Sequence, residues 1–445
     1  MAGPVTVGKS DHWGSRFGFI MAAVGSSVGL GNLWRFPYIA GEMGGSAFIL
    51  IYLGCILLFG FPVLMAEYAL GRHGQRSSIA SIRKIVTENK KPIAWVGMGW
   101  LGAIASLLLF SFYIVISAWV FDFVPQAFLG GFSGFDAAAS GENFGETTSN
   151  KLEIFFYMCA FLALNVFIVA RGVHGGIEKA AEILMPLFFV MLIGMVIFAV
   201  ITGDAARTVE FLFTPDFSKI TFDTFMAALG QAFFSLSVGS CVMFTYGAYL
   251  TRDTNIPKNA GLVASADTLV ALVAGFAIFP IVFSAGLNPE QGPGLFFVTM
   301  PVAFGGLPSF VGGIFFTLAL FAAFTSSISL LETGVSWLED QKSIGRVKGA
   351  IGLGVIMFFM GIGYIWMPEM IDHASFLSGD VMLPLGGVLI GIFAGWVVPK
   401  SILENELGKG IHLEIALVLL RFVVPIFISI ILILGMIGKF FPDGG

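Results

Sequence analysis

Charge is what this sequence has least of. Asp, Glu, Lys and Arg make up only 11% of its 445 residues, where a soluble protein carries about a quarter. Mean hydropathy is +0.92. A soluble domain is excluded, and an all-α polytopic membrane protein is expected. The net charge of -5 offers no basic surface to a nucleic acid. Histidine is also scarce. His12, His73, His174, His373 and His412 all fall in loops or at segment ends, so no histidine-built metal cluster or proton relay is expected inside the membrane. With no mid-membrane histidine and no zinc motif, an intramembrane enzyme is disfavoured. Cys55, Cys159 and Cys241 lie in apolar segments without a pairing pattern and read as small buried hydrophobes. No basic region leading to a small-residue cleavage site opens the chain, so no cleavable signal peptide is expected.

What is present is a series of long apolar runs. A spanning helix needs about 20 such residues, and about eleven segments qualify. They lie near residues 16–40, 46–70, 94–126, 152–170, 179–203, 222–250, 259–286, 308–338, 349–367, 376–399 and 412–440. The third and eighth are long enough to tilt or to project into solvent. Lys and Arg gather after the even-numbered segments: Arg72, Arg76, Arg83, Lys84, Lys90 and Lys91, then Arg171 and Lys179, then Arg252, Lys258, Lys342, Arg346 and Lys348. Residues 130–150 have no Lys or Arg, but have Asp136, Glu142 and Glu146. By the positive-inside rule the basic loops and the N-terminus are cytoplasmic and the acidic loop is external.

Two segments are spoiled by small and polar residues. The first carries GSSVGLGNLWRFP over residues 25–37, and the sixth carries SLSVGSC over 235–241. Ser27-Val28-Gly29 in one is echoed by Ser237-Val238-Gly239 in the other. Interrupted segments at matching places in two halves point to a transporter's binding site. Glycines alone favour close helix packing through small residues. Asn32 and Arg35 on the same segment favour a functional break, because charge in the membrane is costly. A break frees carbonyls for a hard cation and N–H groups for an anion.

GSSVGLGNLWRFP, with His12-Trp13 before it and EMGGSAF (42–48) after it, closely resembles the signature of the neurotransmitter:sodium symporter family. GQAFFSLSVG (230–239) and FAAFTSSISLLE (321–332) do so as well, in the expected order and across nearly the whole chain. The resemblance implies one transporter domain over residues 1–445, on the pattern of the bacterial amino-acid branch and its leucine-transporting members. Its fold is a five-plus-five inverted repeat, about 16–203 and 222–399 here, with broken first and sixth helices and an extra helix near 412–440.

The resemblance also implies roles, position by position. Two sodium ions are expected as co-substrates. The first sodium site matches the Ser27 carbonyl, Asn32, Ser235 and Asp267. Asp267 stands where many relatives have asparagine, and Ala271 where a serine helps to hold chloride, so chloride independence is expected. The second site matches the carbonyls of Gly25, Val28 and Ala322 with the hydroxyls of Thr325 and Ser326, all hard oxygen donors. On the residues alone, Thr325-Ser326-Ser327 are as readily hydroxyls bonded back to their own helix.

The substrate pocket matches Ser26, Ser27, Leu30, Gly31, Leu109, Tyr113, Phe234, Ser235, Ser237, Ser240, Ser326 and Leu330. Tyr113 is expected to hold the substrate carboxylate and Phe234 to cap the pocket. Monoamine carriers have aspartate at the place of Gly29, so a ligand bringing its own carboxylate, an amino acid, is expected. Ser240 replaces a phenylalanine of the leucine-transporting relative, which suggests room for a large hydrophobic or aromatic side chain. Arg35 and Asp380 match the outer gate, with Asp372 as the competing partner, and Asp340 matches the inner gate. The usual arginine partner of Asp340 is replaced by Ser10, beside Lys9. Glu332 replaces a glutamine at the inner pathway.

The expected activity is therefore sodium-coupled import of an amino acid across the bacterial inner membrane by alternating access, by a monomer or homodimer. A sodium-dependent amino-acid sensor on the same fold is the alternative.

Overall fold

The computed structural model describes residues 12–289, 294–340 and 344–440. Backbone N–H and C=O groups have no water to bond in a bilayer, so apolar runs of spanning length pair those groups internally as helices. Among the described residues, nine helices are long and apolar enough to cross a membrane, and Arg16–Ser27 with Gly31–Glu42 forms a tenth span bent by 47°. The sixth in order is discontinuous, Phe222–Ser235 followed by Val242–Ala248. The eleven expected segments are thus all helical, and no strand occurs among the described residues.

The long third and eighth spans, Ile93–Phe128 and Ser309–Asp340, pack along one another. Gly313 receives Phe128, and Gly334 receives Leu107. The fifth span begins earlier than its hydropathy suggests, at Val173, through a wide turn that includes Gly175, Gly176 and Glu178. Short helices that the apolar runs do not announce join the spans: Ser78–Glu88, Ala137–Ser149, Ala205–Phe213, Met300–Phe304 and Lys400–Leu407. They are too short or too polar to register as spans.

At the Lys/Arg-rich end, Glu406 ties three elements together. It meets buried Arg72 at 2.6 Å, Arg252 at 3.1 Å and His73 at 3.4 Å. Burial alone pushes the Glu406 carboxyl up, but hydrogen bonds from His73 and Arg72 and the nearby Arg252 charge outweigh it, so its pKa lies below the ordinary value. A depressed carboxyl stabilises the fold above its unfolded pKa and loses that contribution as pH falls through the folded pKa. Glu406→Gln strands Arg72 in a buried site and is expected to cost about 3–5 kcal/mol. A thermal melt near neutral pH checks this, with the difference from wild type shrinking in acid.

Candidate functional site

The two broken spans face each other at the centre of the bundle. In the first, Val28 takes an extended conformation (φ -76°, ψ 100°) that ends the helix after Ser27, and helix resumes at Gly31. In the sixth, Ser237, Gly239 and Cys241 have positive φ of 54°, 84° and 59°. Gly239 is required there: a Cβ would strike the Leu383 carbonyl, and its φ is one that side chains rarely adopt. The freed backbone groups are satisfied by side chains. Buried Glu67 of the second span accepts from the N–H groups of Gly239 at 2.7 Å and Phe244 at 2.9 Å. The Gln231 amide donates to the Gly31 carbonyl at 2.9 Å.

Between the breaks and the third and eighth spans lies a cavity of about 40 Å³. Its lining comprises Ser26, Ser27, Gly29, Gly31, Leu109, Tyr113, Phe234, Ser237, Ser240, Ser326, Leu330 and Leu383. This volume is about that of one water molecule in the liquid. Leu109, Phe234, Leu330 and Leu383 make one apolar side; the serines and the Tyr113 hydroxyl make the polar side. Tyr113 accepts from the Leu30 N–H at 3.2 Å. Leu30 and Ser235, both assigned to the pocket by resemblance, do not line it. Leu30 contributes its N–H to Tyr113, and Ser235 stands in the adjoining carboxylate cluster.

That cluster is built on Asp267, fully buried in the seventh span. The Asn32 amide donates to Asp267 Oδ1 at 2.8 Å and to Ser235 Oγ at 3.1 Å. The Ser235 hydroxyl donates to Asp267 Oδ2 at 2.7 Å. Asn32 Oδ1 accepts from the Gly29 N–H at 3.0 Å, which anchors the cluster to the first break. An anionic carboxylate with amide and hydroxyl oxygens beside it is a donor set for a hard monovalent cation.

A second set of oxygens lies where the first break meets the eighth span. Ser326 Oγ donates to the carbonyls of Gly25 at 3.2 Å and Val28 at 3.3 Å. Thr325 Oγ1 bonds back to Phe321 at 3.1 Å and Ala322 at 3.2 Å. The Ser326 hydroxyl is thus joined to the Gly25 and Val28 carbonyls, and the Thr325 hydroxyl of the next position to the Ala322 carbonyl, as two neighbouring hydrogen-bonded sets. The back-bonding alternative holds for Thr325, whereas Ser326 reaches across to the broken helix. Ser327 donates to Asn165 Oδ1 at 2.7 Å and also bonds back to the Phe324 carbonyl at 2.9 Å, so the back-bonding alternative holds for it as well.

Above the cavity, Arg35 pairs with Asp380 at 3.4 Å, and its guanidinium sits 4.8 Å from the centre of the Phe234 ring. Asp380 rather than Asp372 is thus the partner in this structure. At the other end, Asp340 accepts from the Ser77 N–H at 2.9 Å and from the Ser77 hydroxyl. Lys9 and Ser10 lie outside the described residues. Trp13 donates to the Tyr246 carbonyl at 3.1 Å, closing the first span against the sixth. Glu332 is fully buried, accepts from the Tyr249 hydroxyl at 2.5 Å and pairs with Arg346 at 2.5 Å.

Sequence reasoning missed Glu67, Gln231, Leu383 and the buried Tyr52, whose hydroxyl lies beside Asp267, Ser235 and Thr268. A signal for Glu67 was present, since an ionisable residue inside an apolar span is functional by default. For Leu383 and Tyr52 nothing in the sequence separates them from ordinary packing.

A sequence-family profile described as the sodium:neurotransmitter symporter family matches residues 10–133 and 142–375. The chain is 36% identical to the uncharacterized sodium-dependent transporter YhdH of Bacillus subtilis, over 97% of this chain and 98% of the relative. It is 33% identical to an uncharacterized sodium-dependent transporter of Haemophilus influenzae, over 96% and 98%. The crystal structure of MhsT in complex with L-phenylalanine superposes with a TM-score of 0.87 at 38% identity, covering 95% of this chain and 99% of that one.

Proposed function

The chain belongs to the sodium:neurotransmitter symporter family, a family of sodium-dependent transporters, and from that membership we propose that it imports a hydrophobic or aromatic amino acid together with two sodium ions. The observation that carries this reading is the pair of oxygen clusters flanking one cavity at two helix breaks. One contains the Asp267 carboxylate, and the other is built from carbonyls and hydroxyls. Gly29 supports an amino acid as substrate, because it brings no fixed charge into the pocket and the ligand must supply its own carboxylate. The phenylalanine bound by MhsT supports a large apolar side chain.

On this reading each residue has a role. Sodium entering the Asp267 cluster displaces the Asn32 amide N–H that here donates to Asp267, and rotation of the amide offers Oδ1 instead. The substrate carboxylate accepts from the Tyr113 O–H, while the Tyr113 oxygen accepts from the Leu30 N–H. The second ion replaces the Ser326 hydrogen bonds to Gly25 and Val28 and so ties the broken helix to the eighth span. Arg35, Asp380 and Phe234 close over the pocket from the acidic end, and Asp340 and Ser77 close the basic end. Placing that basic end and the N-terminus in the cytoplasm follows the positive-inside rule. Each charge carried inward at about 100 mV gains roughly 2.3 kcal/mol, so sodium entry drives concentrative uptake. Asp267 supplies the fixed negative charge, and transport is chloride-independent. The two breaks mark two inverted five-span repeats with the eleventh span added.

Proteoliposomes with an inward sodium gradient test the proposal: uptake of labelled amino acid above the equilibrium level is expected. Binding without uptake assigns a sensor instead. Two substitutions sharpen the reading. Ser326→Ala removes one neutral oxygen from the second cluster and is expected to raise the sodium concentration for half-maximal uptake about five- to ten-fold, roughly 1 kcal/mol. Ser240→Phe adds bulk to the pocket lining, so competition by tryptophan is expected to fall at least about ten-fold, while smaller aliphatic amino acids still compete.

A further inference from the structure

A second, larger cavity, of about 510 Å³, opens at the Lys/Arg-rich end, away from the transport pocket. Its floor is the short helix Ser78–Glu88. That helix buries Ile79, Ile82, Ile85 and Val86 against the bundle and turns Arg83 and Lys84 outward. Arg76 precedes it on an exposed turn. These three cations line the cavity together with Trp100 and Trp337, whose rings meet edge to face at 4.7 Å. No ion pair to another described residue is made by Arg76, Arg83 or Lys84. Two acids also line it. Glu88 is exposed, and the Asp340 carboxylate is engaged by Ser77.

The aromatic wall leads into membrane-facing surface. Ile93, Gly97, Trp100 and Ile104 are exposed at helical spacing along the start of the third span. A ligand filling this groove thus meets cations at one end and a bare hydrocarbon stripe at the other. We propose that the groove binds the headgroup of an anionic phospholipid, with the phosphate between Arg76, Arg83 and Lys84, the glycerol backbone on the tryptophan pair and an acyl chain along the Ile93–Ile104 stripe. Basic pockets between membrane helices take such headgroups, and tryptophan favours this depth in the bilayer. A free phosphate satisfies the cations but leaves the stripe unused. The site touches Asp340, so its occupancy bears on the same end of the molecule that opens inward.

The test is native mass spectrometry on the full-length, detergent-purified chain, titrated with phosphatidylglycerol and with phosphatidylcholine of the same acyl chains. Saturable binding of phosphatidylglycerol is expected, with phosphatidylcholine bound at least about ten-fold more weakly. The combined variant Arg76→Gln, Arg83→Gln, Lys84→Gln is expected to weaken phosphatidylglycerol by about ten- to hundred-fold. Exposed Lys90 and Lys91 do not line the groove, so Lys90→Gln, Lys91→Gln is expected to bind normally. Sodium-dependent amino-acid binding reports that each variant is folded. If the triple variant does not fold, Lys84→Gln alone still reads a smaller shift in the same direction. Equal binding of the two lipids, an unchanged triple variant, an equal loss in the Lys90/Lys91 variant, or displacement of the lipid by equimolar inorganic phosphate overturns the proposal.

Discussion

Asp267→Asn is expected to raise the sodium concentration needed for amino-acid binding by about ten- to hundred-fold. The carboxylate is the one formal charge in its cluster, and a hydrogen bond or contact to a charged group contributes about 1.5–3 kcal/mol. Asparagine keeps the shape and one oxygen, so the fold should survive and the loss falls on the ion. The partners agree with this direction. Asn32 and Ser235 both donate to Asp267 at 2.7–2.8 Å in this structure, bonds that favour the charged form of a carboxyl. A sodium titration of binding, read beside a thermal melt, separates ion loss from unfolding. An unchanged sodium curve removes Asp267 from the proposed site.

Gly29→Ala is expected to reduce binding and uptake by at least about a hundred-fold, with little loss of helical content. An alanine Cβ at this position lies 2.5 Å from Ser326 Oγ, 3.2 Å from Ser326 Cβ and 3.2 Å from the Tyr113 hydroxyl. Ser326 can turn its hydroxyl aside, but doing so breaks its bonds to the Gly25 and Val28 carbonyls. One added methyl group therefore strikes both the second oxygen cluster and the hydroxyl proposed to hold the substrate carboxylate. The readout is equilibrium binding of labelled amino acid at saturating sodium. Near-normal binding means that the pocket lies elsewhere.

Several features of this fold and site were readable from residue order alone, for identifiable reasons. The spans stand out because a bilayer demands long apolar runs. The breaks stand out because Gly25 to Asn32 and Ser235 to Cys241 interrupt such runs with small and polar residues. The contacts that complete the site did not stand out. Arg35 and Asp380 are 345 residues apart, and Asn32 and Asp267 are 235 apart; without family resemblance no spacing rule joins them. For Asp340 the resemblance implied an arginine partner at a position that is Ser10 here, and its partner in the structure, Ser77, lies in a turn whose sequence looks like a generic connection. Glu332 was visible as an unusual residue, but Arg346 was counted only as a loop charge, since nothing in the residue order pairs two positions 14 apart on successive spans. Leu383 closes the pocket from the tenth span, where an apolar residue among apolar residues carries no distinguishing mark.

Sodium coupling through a charged site is the centre of the account, and binding of a panel of labelled amino acids to the purified protein tests it most directly. The measurement is made in sodium and in potassium, each with chloride and with gluconate. The account predicts that large hydrophobic or aromatic amino acids bind in sodium and not in potassium, equally in both anions. Binding of the same strength in potassium would contradict it, and binding that requires chloride would remove the role given to Asp267.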